Sequence, residues 1–328
     1  MKKFYRNKKI LVTGGTGLIG IQLCNLLISY GAKVTVVSID KKPLVLKNVK
    51  FLRTDLRILK NCIKVTKNMD FVFHLAGIKG SPNVASSKPY MFMTPMLMFN
   101  TNIIEAARLN NVKRFLYTSS IGVYKPDNIM KEESVWKTFP SRNDWYAGWV
   151  KRIGELQVNA FSQQYKEMKV TIVRPANVYG PFDNFKDGSS MVIPSLIKKF
   201  LFSTNKKVEV LGDGSNIRDF VYSKDVANGM LIVMKKSPQK PINLGSGRKV
   251  TIKKLVNFMN TNFNNEFEIN WNRNVPTGDK IRLLDIRNAK KLGFKNNYSL
   301  LRGLKETIDW AKKNISKLNE KKYSAFDK

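Results

Sequence analysis

Glycines at 14, 15, 17 and 20 stand directly after an apolar run at 10–12 and directly before an apolar helical pattern that continues to Leu27. Strand, tight turn and helix is the context in which such glycines bind a dinucleotide. Gly14 and Gly17 let the backbone turn and approach a pyrophosphate. Gly20 lets the helix pack on the strand, and the first N–H groups of that helix, which Leu18 and Ile19 open, face the phosphates. About 20 residues further on, Asp40 follows the second strand, where an acid bonds the adenosine ribose and selects NAD. Lys41 and Lys42 beside it suit the 2′-phosphate of NADP, so both cofactors stay open. Asp55 and Leu56, after the third strand, fall where an adenine is contacted or form a simple surface turn. His74 is the one histidine and ends an apolar strand, FVFH, where it reads as a structural residue. Its solitude excludes histidine-based triads and argues against zinc, so no metal is expected. Acid–base chemistry falls to Tyr, Lys, Ser, Asp or Glu.

The elements that would position these residues alternate. Strand patterns at 9–13, 33–38, 50–53, 70–75, 113–118 and 169–174 are separated mostly by helical ones, which predicts a parallel sheet covered by helices on both faces. The stretch 80–95, rich in Ser, Pro and Met, reads as a long loop entering a helix at about 96–110, and a second long helix is expected over about 146–166. Beyond Pro175 the elements shorten and Pro, Gly and Asn become frequent. The expected fold is therefore α/β: a Rossmann-like doubly wound sheet over 1–175, rejoined by about 215–245, with a smaller α/β substrate domain over 176–315. That domain would cap the carboxyl ends of the strands, and a frayed tail follows at 316–328.

With 328 residues and 43% apolar content the chain can bury a substantial core. No apolar run reaches the roughly 20 residues that span a bilayer, and no signal peptide is seen, so a cytoplasmic protein without a membrane partner is expected. Cys24 and Cys62 are the only cysteines, and Cys24, inside the first helix, reads as core. The net charge of +34 comes from lysines scattered along the whole length, with no basic block, so no specific nucleic-acid partner is expected.

Five ordered motifs carry a resemblance: TGGTGLIG at 13–20, HLAG at 74–77, YTSSIGVY at 117–124, RPANVYGP at 174–181 and GDGSNIRDFVYSKDVA at 212–227. Together they resemble the extended short-chain dehydrogenases, the NAD(P)-dependent nucleotide-sugar epimerases, dehydratases and reductases, over about residues 8 to 310. Within them the segments at 76–80, 179–200 and 276–294 are most similar to the GDP-L-fucose synthase family. The resemblance implies that Ala76 and Gly77 touch the cofactor and that Ser120 holds the sugar C4 oxygen. It further implies that Asn177, Val192, Lys199, Arg218 and Arg282 hold the nucleotide sugar. Guanidinium groups suit a diphosphate, although each arginine has a buried ion pair as its alternative. Helices at about 96–110 and 146–166 would pair in a homodimer.

The same resemblance implies a Tyr and a Lys spaced Y-x-x-x-K on one helix. The lysine, here Lys151, would hold the nicotinamide ribose, and the tyrosine would move a proton. Position 147 holds alanine, and Tyr146 is one residue early. Four residues on a helix leave two side chains about 40° apart, and five leave them about 140° apart. Tyr146 serves if it precedes the first regular turn, or if a π-bulge near Gly148 restores the phase; otherwise the tyrosine is lost. Ile121 and Gly122 replace the Asp-Glu pair of the dehydratases, while Gly122 and Met191 replace the Cys and His of C3/C5 epimerisation. What remains is hydride transfer at C4 of a GDP- or UDP-linked hexose, with Ser120, Tyr146 and Lys151 as the catalytic set. The alternative is a catalytically silent NAD(P)-binding sensor or scaffold of a glycan pathway.

Overall fold

Short runs of Val, Ile, Leu and Phe that alternate with helices must pair in parallel, because each crossover carries the chain back to the same edge. The computed structural model, which describes residues 1–318 apart from 42, 44, 79, 81–86 and 276, shows this arrangement. Strands β1 (Lys9–Thr13), β2 (Lys33–Ser38), β3 (Lys50–Arg53), β4 (Phe71–His74), β5 (Arg114–Thr118), β6 (Lys169–Pro175) and β11 (Ile242–Leu244) form one sheet in the order β11-β6-β5-β4-β1-β2-β3. Every pairing in it is parallel, with Ile10 opposite Val34 on one side and Phe71 on the other. The strand order reverses between β1 and β4, and there the carboxyl ends open a crevice.

Helices cover both faces. A short turn α1 (Lys2–Tyr5) precedes α2 (Leu18–Ser29), α3 (Leu59–Thr66), α4 (Pro89–Leu109) and α5 (Trp145–Gln164). One core packs Ile10, Val12, Val36, Phe73 and Leu116 on one side of the sheet; a second packs Leu11, Val37, Val72 and Phe115 on the other. Alternate residues of β1 thus feed opposite cores, as the period of two requires.

The helix expected from about 96 begins at Pro89 instead. Proline in the first turn gives up an N–H that has no partner there anyway. Phe92, Met96 and Phe99 then line one buried face, which outweighs the proline at 95. Residues 81–86 of that stretch, and Lys42, lie outside the described residues.

The rest of the chain builds small sheets around a third core. Strand β7 (Asn177–Tyr179) pairs with β10 (Phe220–Tyr222); β9 (Ile217–Arg218) lies between β12 (Val250–Thr251) and β14 (Ile281–Arg282); β8 (Lys207–Leu211) pairs with β13 (Glu268–Asn272). Helices α6 (Val192–Phe202), α8 (Ile252–Thr261) and α10 (Leu300–Lys313) enclose that core, while α7 (Ser223–Lys236) packs on α2 and α9 (Arg287–Lys291) beside β11. Of the tail expected at 316–328, only its first three residues are described. Residues 315–317 form a single turn and Leu318 is buried in the third core, and the tail beyond lies outside the described residues.

Candidate active site

A cleft of about 1100 Å³ runs along the carboxyl ends of the strands, from the glycine loop to β14. Gly14, Gly17, Leu18, Ile19, Gly20, Asp40, Asp55, Leu56, Ala76 and Gly77 all line it. Gly14 holds φ +64°, and a Cβ there would meet the backbone of Ala76 at 2.9 Å. At Gly20 a Cβ would meet the Gly14 carbonyl at 2.5 Å, so the loop closes on itself only because both are glycine. Helix α2 starts from Gly17 with no side-chain cap, which leaves its first N–H groups directed at the cleft.

At the far side of this loop Asp40 is held in place. Its Oδ2 accepts the Thr16 hydroxyl at 2.7 Å and the Ser38 hydroxyl at 3.2 Å. Asp55 instead grips Arg57 at 2.6 Å and accepts its backbone N–H, so its carboxylate organises a turn while still bordering the cleft. Leu56 is buried beneath it.

Lys151, Ser120 and Ala147 line the same cleft. Lys151 Nζ donates to the Thr118 carbonyl at 2.8 Å, stands over the Tyr117 ring, and would lie 3.5 Å from a Cβ on Gly77. Burial lowers its ammonium to about 8, and the nearby Glu155 resists that shift. Ser120 Oγ accepts the Gly122 N–H at 3.1 Å, capping the turn Ile121–Val123. The Thr118 hydroxyl, also at the cleft wall, is buried without a hydrogen-bond partner among the described residues. A glycine cradle, an anchored acid, a buried ammonium and an orphaned hydroxyl along one cleft fit a dinucleotide.

Tyr146 does not join them. Helix α5 is regular from Trp145 onward, so the five-residue spacing turns Tyr146 away from Lys151; it is 43% exposed and outside the cleft lining. Ala147 takes the position that faces the cleft. Neither expected escape, an irregular start or a π-bulge at Gly148, is present.

The expected substrate residues divide. Asn177, Val192 and Arg282 line the cleft; Lys199 and Arg218 do not. Lys199 Nζ points across to the Glu209 carbonyl of β8 at 2.8 Å. Arg218 donates to the carbonyls of Ile217 and Asp279 behind Arg282, and burial together with the neighbouring Arg282 lowers it to about 10. Arg282 itself pairs with Asp144 and, at 2.9 Å, with Asp279. Burial would lower its guanidinium, but the two carboxylates outweigh that and raise it. The ion-pair alternative is therefore realised at Arg282.

His74 is buried between the Thr13 hydroxyl at 2.7 Å and the Asn100 carbonyl oxygen at 2.8 Å, and burial pushes it down to about 3. It stays neutral and structural. Sequence reasoning missed Asp144 and Thr118. An acid one residue before a helix reads as an N-cap, yet Asp144 makes no cap hydrogen bond and turns to Arg282.

No helix among the described residues is long and apolar enough to cross a membrane. The family described as NAD dependent epimerase/dehydratase matches residues 10–245. The GDP-mannose 3,5-epimerase of Arabidopsis thaliana is 29% identical over 327 residues, covering 95% of this chain and 84% of that one. The GDP-L-fucose synthase 1 of the same plant is 28% identical over 253 residues, 75% of this chain and 77% of that one. Among solved structures, a UDP-glucose 4-epimerase of Thermotoga maritima with UDP-glucose superposes with a TM-score of 0.83 at 26% identity, covering 94% of this chain and 99% of that one.

Proposed function

Because the chain belongs to the NAD-dependent epimerase/dehydratase family, we propose that it is a nucleotide-sugar oxidoreductase or epimerase that works by hydride transfer at C4 of a GDP- or UDP-linked hexose. The observation that carries this is that the glycine loop, Lys151, Ser120 and Arg282 all line one cleft. The names of the relatives, a GDP-mannose 3,5-epimerase and a UDP-glucose 4-epimerase, support a nucleoside-diphosphate hexose as the ligand.

A nicotinamide dinucleotide, when bound, accepts and returns a hydride. The chain supplies the rest. Gly14, Gly17 and Gly20 bring backbone N–H groups against the pyrophosphate. Asp40, fixed by Thr16 and Ser38, receives ribose hydroxyls and repels a 2′-phosphate, which favours NAD over NADP. Lys151 holds the nicotinamide ribose, and Ser120 holds the sugar oxygen. Beyond them, Asn177, Val192 and Arg282 border the substrate end of the cleft. Positions 121, 122 and 191 hold Ile, Gly and Met, none of which moves a proton, so 4,6-dehydration and C3/C5 epimerisation fall outside the reading.

The same reading divides the chain near 175 into a dinucleotide part and a substrate part. It pairs two copies along α4 and α5, where Met98, Leu109 and Leu156 are exposed. Both cysteines are free and buried, which suits a reducing, cytoplasmic setting. The test is product analysis by NMR after incubation with NAD and either GDP-mannose or UDP-glucose. A C4 epimer or a 4-keto hexose is expected. Bound dinucleotide with both sugars unchanged would contradict the reading and leave a silent binding protein.

A further inference from the structure

A hydride leaves an alcohol carbon only if the hydroxyl proton has somewhere to go. Among the described residues around Ser120 few groups can take it. Tyr146 lies outside the cleft, Gly122 and Ala147 carry no proton-moving group, and His74 is sealed between Thr13 and Asn100. Lys151, whose ammonium titrates near 8, is mostly protonated at neutral pH and is tied to the Thr118 carbonyl.

A carboxylate stands beside the turn that Ser120 caps. Asp144 lines the cleft and stands directly over Gly122, where an added Cβ would be 3.4 Å from its Cγ and 3.5 Å from its Oδ2. Gly122 is the residue whose N–H bonds Ser120 Oγ. The absent side chain at 122 is thus what admits the acid from residue 144 to the neighbourhood of the serine hydroxyl. Arg282 fixes the carboxylate by an ion pair. The loop that carries it is anchored too, because Ser141 and Asn143 both donate to Asp279 at 2.7 Å.

We propose that Asp144 is the catalytic acid/base of this cleft, taking the substrate hydroxyl proton beside Ser120, with Arg282 as its positioning residue. This rests on the C4 hydride-transfer reading. In the oxidative direction the O–H proton passes to the Asp144 carboxylate. The C–H hydrogen leaves with its electron pair as hydride to an oxidised nicotinamide dinucleotide, and the carbinol becomes a ketone; the return direction reverses both transfers.

The experiment follows reduced-nicotinamide absorbance in a single turnover after GDP-mannose or UDP-glucose is added to NAD-loaded protein, with sugar binding measured by calorimetry on the same samples. Asp144→Asn keeps the shape and removes the proton acceptor. Its rate is expected to fall about 100-fold or more while the sugar Kd stays nearly constant. Ala147→Tyr, four residues before Lys151 on a regular helix, is expected to restore a large part of that rate when added to Asp144→Asn. Three results would overturn the proposal: an Asp144→Asn rate close to that of the parent, a rate and Kd lost in parallel, or no rescue by Ala147→Tyr. A parent protein that binds NAD and sugar but gives neither an absorbance change nor a C4 epimer would instead sink the hydride-transfer reading first, and this proposal with it.

Discussion

Lys151 carries its charge against burial, and that cost depends on pH. Its ammonium titrates near 8 instead of 10.5, so the unfolded chain holds this proton more tightly than the native state does. The cost is present in full below about 8, and stability contributed by this residue rises with pH up to 10.5, where it is relieved. The free protein is therefore expected to gain on its Lys151→Met variant by about 2 kcal/mol across that interval, after allowance for partial exposure. Urea unfolding of both proteins at several pH values checks this, and parallel curves would contradict it. Residue chemistry was partly legible in the sequence. His74 read correctly as structural because a lone imidazole ending an apolar strand finds its partners inside the sheet. The ion pair at Arg282 was stated only as an alternative, because Asp144 lies 138 positions away and no spacing rule connects them.

At the scale of elements, the glycine loop was fully readable, since strand, turn and helix are local and the glycines follow from the space they must leave. Gly14→Ala places a Cβ 2.9 Å from the Ala76 backbone in a left-handed conformation. It is expected to cost about 1–3 kcal/mol and to weaken dinucleotide binding sharply. Thermal melts and quenching of tryptophan fluorescence by NADH measure the two effects; an unchanged melt would contradict the close approach. Strand limits were readable because apolar runs end at turn residues. The start of α4 was not, because Pro, Ser and Met read as loop until the buried row of Phe92, Met96 and Phe99 is seen packed. Helix α5 shows the converse. Its sequence left room for a bulge, and the regular helix closes that route and leaves Ala147 facing the cleft. Lys199 and Arg218 are absent from the cleft lining, and which side of an element meets the cleft is decided by long-range contacts such as those to Glu209 and Asp279.

Across the whole molecule, the ordered motifs converge on one cleft because parallel strands bring all their carboxyl ends to one edge of the sheet. That much was legible: sequence order maps directly onto the crevice. The contact between residues 279–282 and the loop at 141–144 was not. Arg282 and Asp279, from the β14 region, bind the loop at 141–144 through ion pairs and hydrogen bonds. The charge of +34 plays no visible part in the cleft, whose wall mixes Asp40, Asp55 and Asp144 with Lys151 and Arg282. Hydride transfer at C4 is the central step. The most direct measurement uses GDP-mannose and UDP-glucose deuterated at C4, incubated with NAD-loaded protein, with the dinucleotide then released and weighed by mass spectrometry. Hydride transfer at C4 predicts either deuterium on the nicotinamide ring or a C4 epimer that keeps its deuterium, from at least one of the two sugars. Dinucleotide without label, beside intact sugar or sugar whose deuterium has been lost to water, would contradict it.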